Sequence, residues 1–565
     1  MKKMFIIFMV SVLMLSCGCA GTYKESPNPM TNTDETDNDL LDQQNEKFIM
    51  IADEPNTLNP IMSVSSMDQE VMYLISAYLF RSYDGVMNAE ICEYFEISDD
   101  YLTYTYYLKE AEYSDGTIIT ADDFAFFIIS QLDPKYGSPN ARKWINEIPI
   151  KNALKFNTGE VGREDLGIRI IDSQSFEIIL EKPSATFNGM LAITPLREEF
   201  VIEKGSALGG TAKDIEFSGP YVLKEWVYEG YLLLEKNPKY IYSRESFPVG
   251  TIEILVGVDS NTRVAMFENG EVDVVKSVSR QNLDLISEYI VRFPAGMQQA
   301  IQFNPYGKGN NEENGKLIAN LSFRKALSYA LDRETIVAGV NPLYDPNTRL
   351  ISNLFLDSNY NESFISSYPI ETVSKSGNID LAKFYLNEAL KELGYDNVND
   401  LPQLSYLTFD VQDYVILAET FINQWEQILG LRNISINNLP VPLAIQAMIG
   451  YDYDMYYTSL SSGSDPSYVL NMWITGGTIN DIQGTGKNLW SNSKYDDLLQ
   501  KSFLEFDLDK RYELLVQAEQ IIINEGPLVP FMTGNITSAI QPWVEGYVFN
   551  SLDQGFSLNK LSIKR

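Results

Sequence analysis

Residues Thr103–Phe124 read TYTYYLKEAEYSDGTIITADDF. The first part, Thr103–Lys109, alternates aromatic with polar side chains, the period-two pattern of a half-buried strand. Tyr113-Ser114-Asp115-Gly116-Thr117 then supplies a turn centred on Asp-Gly. Thr120 follows as a helix cap, with Asp122 and Asp123 in the first turn, where carboxylates meet the positive end of the helix dipole. Strand, tight turn and capped helix in immediate succession predict a mixed α/β chain.

The same reading extends in both directions. Towards the N-terminus it predicts a strand at Phe48–Ala52 and a helix over Met67–Leu79. Beyond the central stretch it predicts strands at Phe176–Leu180, Tyr221–Trp226, Tyr231–Lys236, Thr251–Val256 and Ala300–Phe303. Helices are predicted at Asn261–Glu268, Phe323–Arg333, Asp380–Leu393 and Val415–Leu429, the last two stopped by Gly394 and Gly430. Asp452–Asn471, DYDMYYTSLSSGSDPSYVLN, begins as a strand over Met455–Leu460. It breaks abruptly into Ser461-Ser462-Gly463-Ser464-Asp465-Pro466, a run of small polar turn formers. Strands and helices interleave without a strict repeat, so the expectation is an α/β protein of several lobes.

Composition limits the chemistry. The chain has 565 residues, 45% hydrophobic and 21% charged, as folded globular proteins do. Its 43 basic and 77 acidic residues leave a net charge of −34, which argues against nucleic acid and against anionic membrane contact through the body. Histidine is absent, which excludes Ser-His-Asp and Cys-His catalysis, HExxH zinc sites and nearly all nickel or copper sites. No catalytic group, cofactor or metal ligand set emerges. Of the three cysteines, 17 and 19 fall in the N-terminal segment, so Cys92 is alone and reads as a small buried hydrophobe.

Residues 1–21, MKKMFIIFMVSVLMLSCGCAG, pair a Lys2-Lys3 head with an apolar run over Met4–Leu15. A run of about 12 residues is short for a bilayer span and reads as a secretory signal. Its close resembles a bacterial lipobox. Cys17, preceded by Met14-Leu15-Ser16, is the favoured lipidation site and Cys19 the alternative. Residues 22–46 offer almost nothing to bury and read as a flexible tether. A lipid anchor, a tether and an acidic globule describe a protein held at the outer face of a bacterial cytoplasmic membrane.

Ten blocks in order carry a resemblance. They are EPNTLNP, the opening stretch, SGPYVLKEW, EKNPKY, MFENGEVD, IQFN, FRKALSYALDRE, LAKFYLNEALKELGY, SNSKYDDLL and AEQIIINEGPLVPF. Together they resemble family 5 of the bacterial solute-binding proteins, the OppA-like oligopeptide and dipeptide receptors of ABC importers. The resemblance implies a two-lobed periplasmic-binding-protein fold (type II, cluster C) with an extra domain and an interlobe ligand cleft. Carried onto this chain, lobe I is 47–77, 186–296 and 535–565, the extra domain 78–185 and lobe II 297–534, with the hinge near 297 and 534. The implied function is capture of an oligopeptide by a monomeric, non-catalytic receptor. It delivers the ligand to a membrane permease driven by cytoplasmic ATPases.

The resemblance also implies ligand contacts. A bound peptide pairs its backbone with short strands of each lobe, here Val64-Ser65-Ser66 and Thr458-Ser459-Leu460. The family's carboxylate for the peptide ammonium stands three residues before an acidic-Pro pair. Here that pair is Asp465-Pro466 and the earlier position holds Ser462. Either Asp465 or another acid takes the ammonium, or the ligand has no amine there. The place of a basic residue used at the far end falls near Tyr456. Trp473 and Trp490 fit either a core or a stacking role on a sugar ring. Gly484-Thr485-Gly486-Lys487 resembles the tail of a P-loop, but Asp481 and Asn488 replace residues that the phosphate cradle and magnesium need. The alternatives are the same fold holding an oligosaccharide or a metal chelate, or a surface lipoprotein for signalling or adhesion.

Overall fold

The computed structural model describes residues 46–565 except 84–85, 189–190, 244–246, 279–281, 341, 464 and 551–554. The expected secretory signal, the lipidation candidates Cys17 and Cys19 and all but the last residue of the expected tether, 22–46, lie outside the described residues.

The opening stretch folds as its pattern dictates. Thr103–Leu108 is a strand whose Tyr104, Tyr106 and Leu108 point inward, the central pair of a four-stranded antiparallel sheet being completed by Ser175–Ile179. Gly116 takes φ +87° in the turn, and Thr117 N donates to Asp115 Oδ1 at 2.8 Å. Arg197 fastens that turn from outside, donating to Thr117 Oγ1 and Asp115 Oδ2 at 3.0 Å each. The helix Ala121–Leu132 starts at Thr120, whose N–H donates to Asp123 Oδ2 at 2.8 Å. Cys92 opens a neighbouring strand, fully buried, and burial pushes its thiol up to about 12.

A second, larger sheet organises the rest. One end holds Lys47–Ile51, Val274–Lys276, Thr251–Leu255, Tyr231–Lys236 and Tyr221–Val227; the other holds Ile434–Leu439, Leu404–Phe409 and Met455–Ser461. Two long antiparallel strands, Ile290–Phe303 and Leu528–Ile540, join the ends. Only the stretch Val274–Lys276 attaches through Ser538–Ile540, and Met455–Ser461 attaches through Met297–Phe303. Between these attachments the ladder is interrupted from Pro294 to Gln298, where Gly296 adopts φ +64°.

The apolar cores follow the same division. One core runs unbroken from Phe48 and Ile252 into Tyr104 and Phe176 of the four-stranded sheet. Others gather Phe303, Leu327, Trp425 and Phe531, and Leu350, Leu460, Trp473 and Ile522. Among the described residues no core cluster continues across the interrupted ladder, so bending there disturbs little packing.

Three predicted elements differ. The helix expected over Met67–Leu79 ends at Ile75, where Ser76 turns extended while its N–H still donates to Met72 O. The strand expected at Ala300–Phe303 begins ten residues earlier, at Ile290, because Pro294 and Gly296 sit in the bulge instead of ending the strand. The helix expected over Phe323–Arg333 stops at Tyr329, and a second runs Arg333–Val340. Asp332 starts the second by accepting from Thr335 N at 3.1 Å. The Arg333 guanidinium turns back onto the Ser328 and Leu331 carbonyls at the end of the first.

Candidate ligand-binding site

Met455–Ser461 is placed by what precedes it. Asp454, fully buried, accepts from Ser405 N at 2.7 Å, Lys308 N at 2.8 Å and Asn314 Nδ2 at 3.1 Å. Asn304 Nδ2 donates to the Tyr451 and Tyr453 carbonyls at 2.9 and 2.7 Å. These bonds fix the register of the strand against Ile290–Phe303, where Thr458 faces Ala300 and Leu460 faces Gln298. Alternation then buries Thr458, Leu460 and Ser462 and exposes Ser459 and Ser461.

The other edge of this strand is half covered. Leu404–Phe409 pairs with it only at Met455 and Tyr456. Ser462 N donates to Gly296 O at 2.7 Å, which makes Gly296 and Ser462 a hydrogen-bonded pair of the ladder. By alternation, the N–H and C=O of Thr458 and Leu460 face Ile290–Phe303, and those of Ser459 and Ser461 face the opposite edge. No strand among the described residues occupies that edge beyond Tyr456. Of the expected contacts Thr458, Ser459 and Leu460, only Ser459 thus offers its backbone outward, and Ser461 joins it. Nothing in composition distinguishes these residues; the signal is the register set by the bulge.

Two expectations are corrected. Val64-Ser65-Ser66 is no strand: Ser65 caps the helix Ser66–Ile75. Its N–H already donates to Asp68 Oδ2 at 3.2 Å, and its hydroxyl accepts from Asp68 N at 3.1 Å. Val64, 64% exposed, and Ser66 face open space, while Ser65 is half-buried. Asp465 is no open anchor for an ammonium either. Its Oδ1 accepts from Arg511 Nη2 and Ser467 Oγ at 2.5 Å each and from Ser467 N at 2.8 Å. Burial pushes its carboxyl up, but Arg511 and Ser467 outweigh that and hold it below the usual carboxylate range.

Ser462 is 2% exposed, against Gly296, and its hydroxyl has no hydrogen-bond partner among the described residues. Tyr456 is buried, donating to Gln302 Oε1 at 3.2 Å, and cannot meet a ligand terminus. Trp473 is fully enclosed in a core and offers no ring face to a sugar; Trp490 is half-buried, its Nε1 donating to Glu525 Oε2 at 2.7 Å. The Gly484–Lys487 loop closes on its own acid: Asp481 accepts from Thr485 N and Gly486 N at 3.0 and 2.6 Å. Among the described residues no three His, Cys, Asp or Glu side chains group to hold a metal ion.

Comparison with known proteins reaches the same place from outside. A profile described as bacterial extracellular solute-binding proteins, family 5 Middle, matches residues 87–481. The chain belongs to family 5. Among curated family members, the oligopeptide-binding protein OppA of Bacillus subtilis is 27% identical over 551 residues, covering 94% of each chain. The dipeptide-binding protein DppE of the same organism is 24% identical, covering 91% of this chain and 92% of its own. A probable deoxycholate-binding periplasmic protein of Escherichia coli, YgiS, is 25% identical over 90% of this chain and 92% of its own.

The family fold is equally plain. An unliganded open form of the murein tripeptide-binding protein MppA superposes with a TM-score of 0.76 at 21% identity, over 92% of this chain and 98% of its own. Peptide-bound OppA of Listeria monocytogenes gives 0.65 at 22% identity, over 92% and 99%. The two-lobed fold read from the ordered blocks is therefore the fold of this chain.

Proposed function

We propose that this protein is the extracytoplasmic substrate-binding component of an ABC importer, enclosing an oligopeptide between its lobes and passing it to a membrane permease. The observation that carries the reading is the unpaired backbone edge at Ser459 and Ser461, beside the interrupted ladder at Gly296. An extended peptide adds to such an edge through main-chain hydrogen bonds, which give affinity without reading side chains. In this reading lobe I comprises 47–77, 186–296 and 535–565, the extra domain 78–185 and lobe II 297–534, and the bulge is the hinge. The chain does no chemistry, is anchored by lipid at Cys17 or Cys19, and works as a monomer with permease and ATPase partners. The names of its relatives support the ligand class: oligopeptide- and dipeptide-binding proteins stand among them.

A second reading has its own observation. Ser462 is buried and Asp465 is spent on Arg511, so neither offers a carboxylate to a peptide amine. A ligand without that amine, such as an N-blocked peptide, an oligosaccharide or a metal chelate, suits this better. Native mass spectrometry of the purified protein with its co-purified ligand decides between the two. Peptide masses with free amines support the first reading; a sugar or chelate and no peptide sinks it.

A further inference from the structure

Behind Val64, between the Asn59–Val64 segment and the helices Ala121–Leu132 and Ala141–Glu147, lies a cavity of about 320 Å³. That is the small end of the range for ligand pockets, about 300–1,000 Å³, and suits one ring system. Its apolar walls include Met72, Tyr78, Phe127 and Trp144, the last two packed edge to face with centroids 6.2 Å apart.

Apart from Lys143, which is exposed at the rim, its polar groups divide into two kinds. Those beside the Asn59–Val64 segment are already engaged. Gln131 Nε2 donates to Pro60 O at 3.2 Å, Asn140 Nδ2 to Ser63 O at 3.1 Å, and Gln69 Nε2 to Ser63 Oγ at 2.7 Å. They brace the segment and hold the cavity open against collapse. Thr194 differs. It lines the cavity, is 4% exposed, and its hydroxyl has no hydrogen-bond partner among the described residues. A buried hydroxyl is costly to leave unmatched, so a group that enters and meets it gains specificity.

We propose that this cavity receives one aromatic group bearing a hydrogen-bonding substituent, a phenol or an indole, with Thr194 Oγ1 as its polar partner. Aromatic side chains in the walls favour a ring over an aliphatic chain. The source is a side chain of the bound peptide, which rests on the function proposed above; a free aromatic amide shares the chemistry.

Titration calorimetry with pentaalanine, and with pentapeptides carrying one tyrosine or one phenylalanine at each position in turn, tests the assignment. Tyrosine at one position is expected to tighten binding about tenfold over alanine. Ala192 lines the cavity and is exposed, so Ala192→Trp blocks the mouth without disturbing a core. It should erase the tyrosine advantage and leave pentaalanine affinity unchanged. Thr194→Val should bring tyrosine down to phenylalanine. A tyrosine advantage that survives Ala192→Trp overturns the proposal. A parallel saturation-transfer measurement uses N-acetyltyrosinamide. If no peptide binds but the amide binds wild type and not Ala192→Trp, the peptide reading fails and the pocket stands. No tyrosine advantage and no amide binding overturns the pocket itself.

Discussion

Asp465 Oδ1 and Arg511 Nη2 lie 2.5 Å apart, and their side chains are 14% and 4% exposed. The pair ties the turn after the candidate ligand strand to the helix Leu508–Glu525. Asp465→Asn leaves the guanidinium buried without a counter-charge, which costs roughly 3–5 kcal/mol in comparable pairs. The Asp465 carboxyl is held low in the folded state, so its contribution is full above the ordinary carboxylate range and fades as pH falls through the depressed value. Melting curves should therefore separate wild type and Asp465→Asn widely at pH 7 and bring them closer at a pH below the ordinary carboxylate range. Equal gaps at both would refute the assignment.

The family resemblance expects a carboxylate at the position of Ser462, whose side chain is buried beside Gly296. Ser462→Asp forces an acid into a place with 2% exposure and is expected to lower stability by about 2 kcal/mol or more. A peptide with a free amine should recover part of that loss and its N-acetylated form none, through binding to the folded state alone. Thermal shifts with both peptides give the answer. Equal shifts would place the ammonium elsewhere.

Gly296 and Gly534 face each other across the interrupted ladder and should respond differently to alanine. Gly296 has φ +64°, and an added Cβ comes within 2.5 Å of Leu354 Cδ1. At Gly534 the nearest atom is Met297 Cβ at 3.5 Å, ordinary contact. Gly296→Ala should cost about 1–2 kcal/mol and slow ligand-driven closure. Gly534→Ala should be close to neutral. Denaturant midpoints and stopped-flow fluorescence check both; a larger loss at Gly534 would contradict the hinge placement.

Glu216 supplies a pH signature in the opposite direction. Burial pushes its carboxyl up to about 7, against the lowering pull of Arg197. Its folded-state value lies above the ordinary glutamate value near 4.3, so its contribution is full below that value and is lost as pH rises towards 7. Wild type should melt higher at pH 5 than at pH 8, and Glu216→Gln should flatten the slope. The overall charge of −34 adds repulsion in the same direction, so the variant's change in slope is the diagnostic. An unchanged slope would show that Glu216 takes no part.

Much of this architecture is legible in local pattern. Thr103–Leu108 alternates, Asp115-Gly116 turns, Thr120 caps, and each appears where its chemistry puts it. Gly394 and Gly430 close their helices in the left-handed conformation. What escapes is long-range. Pro294 and Gly296 read locally as the end of a strand, and only pairing with Leu528–Ile540 makes them a bulge. Ser65 reads as a possible strand residue until Asp68, one helical turn on, claims both its groups. Asp465 carries no sign that Arg511 waits 46 positions later. Which edge of Met455–Ser461 stays unpaired depends on where Leu404–Phe409 runs out, which no residue of the strand itself records.

Cys92 has a practical consequence for watching the lobes move. It is enclosed, its Sγ donates to Tyr94 O at 3.2 Å, and burial pushes its thiol up to about 12, which disfavours the thiolate at neutral pH. Maleimide dyes will pass it by. With Cys17 and Cys19 left out of the expressed chain, a cysteine introduced at an exposed position on each lobe can then be labelled selectively, giving a distance reporter whose two fluorophores follow opening and closing one molecule at a time.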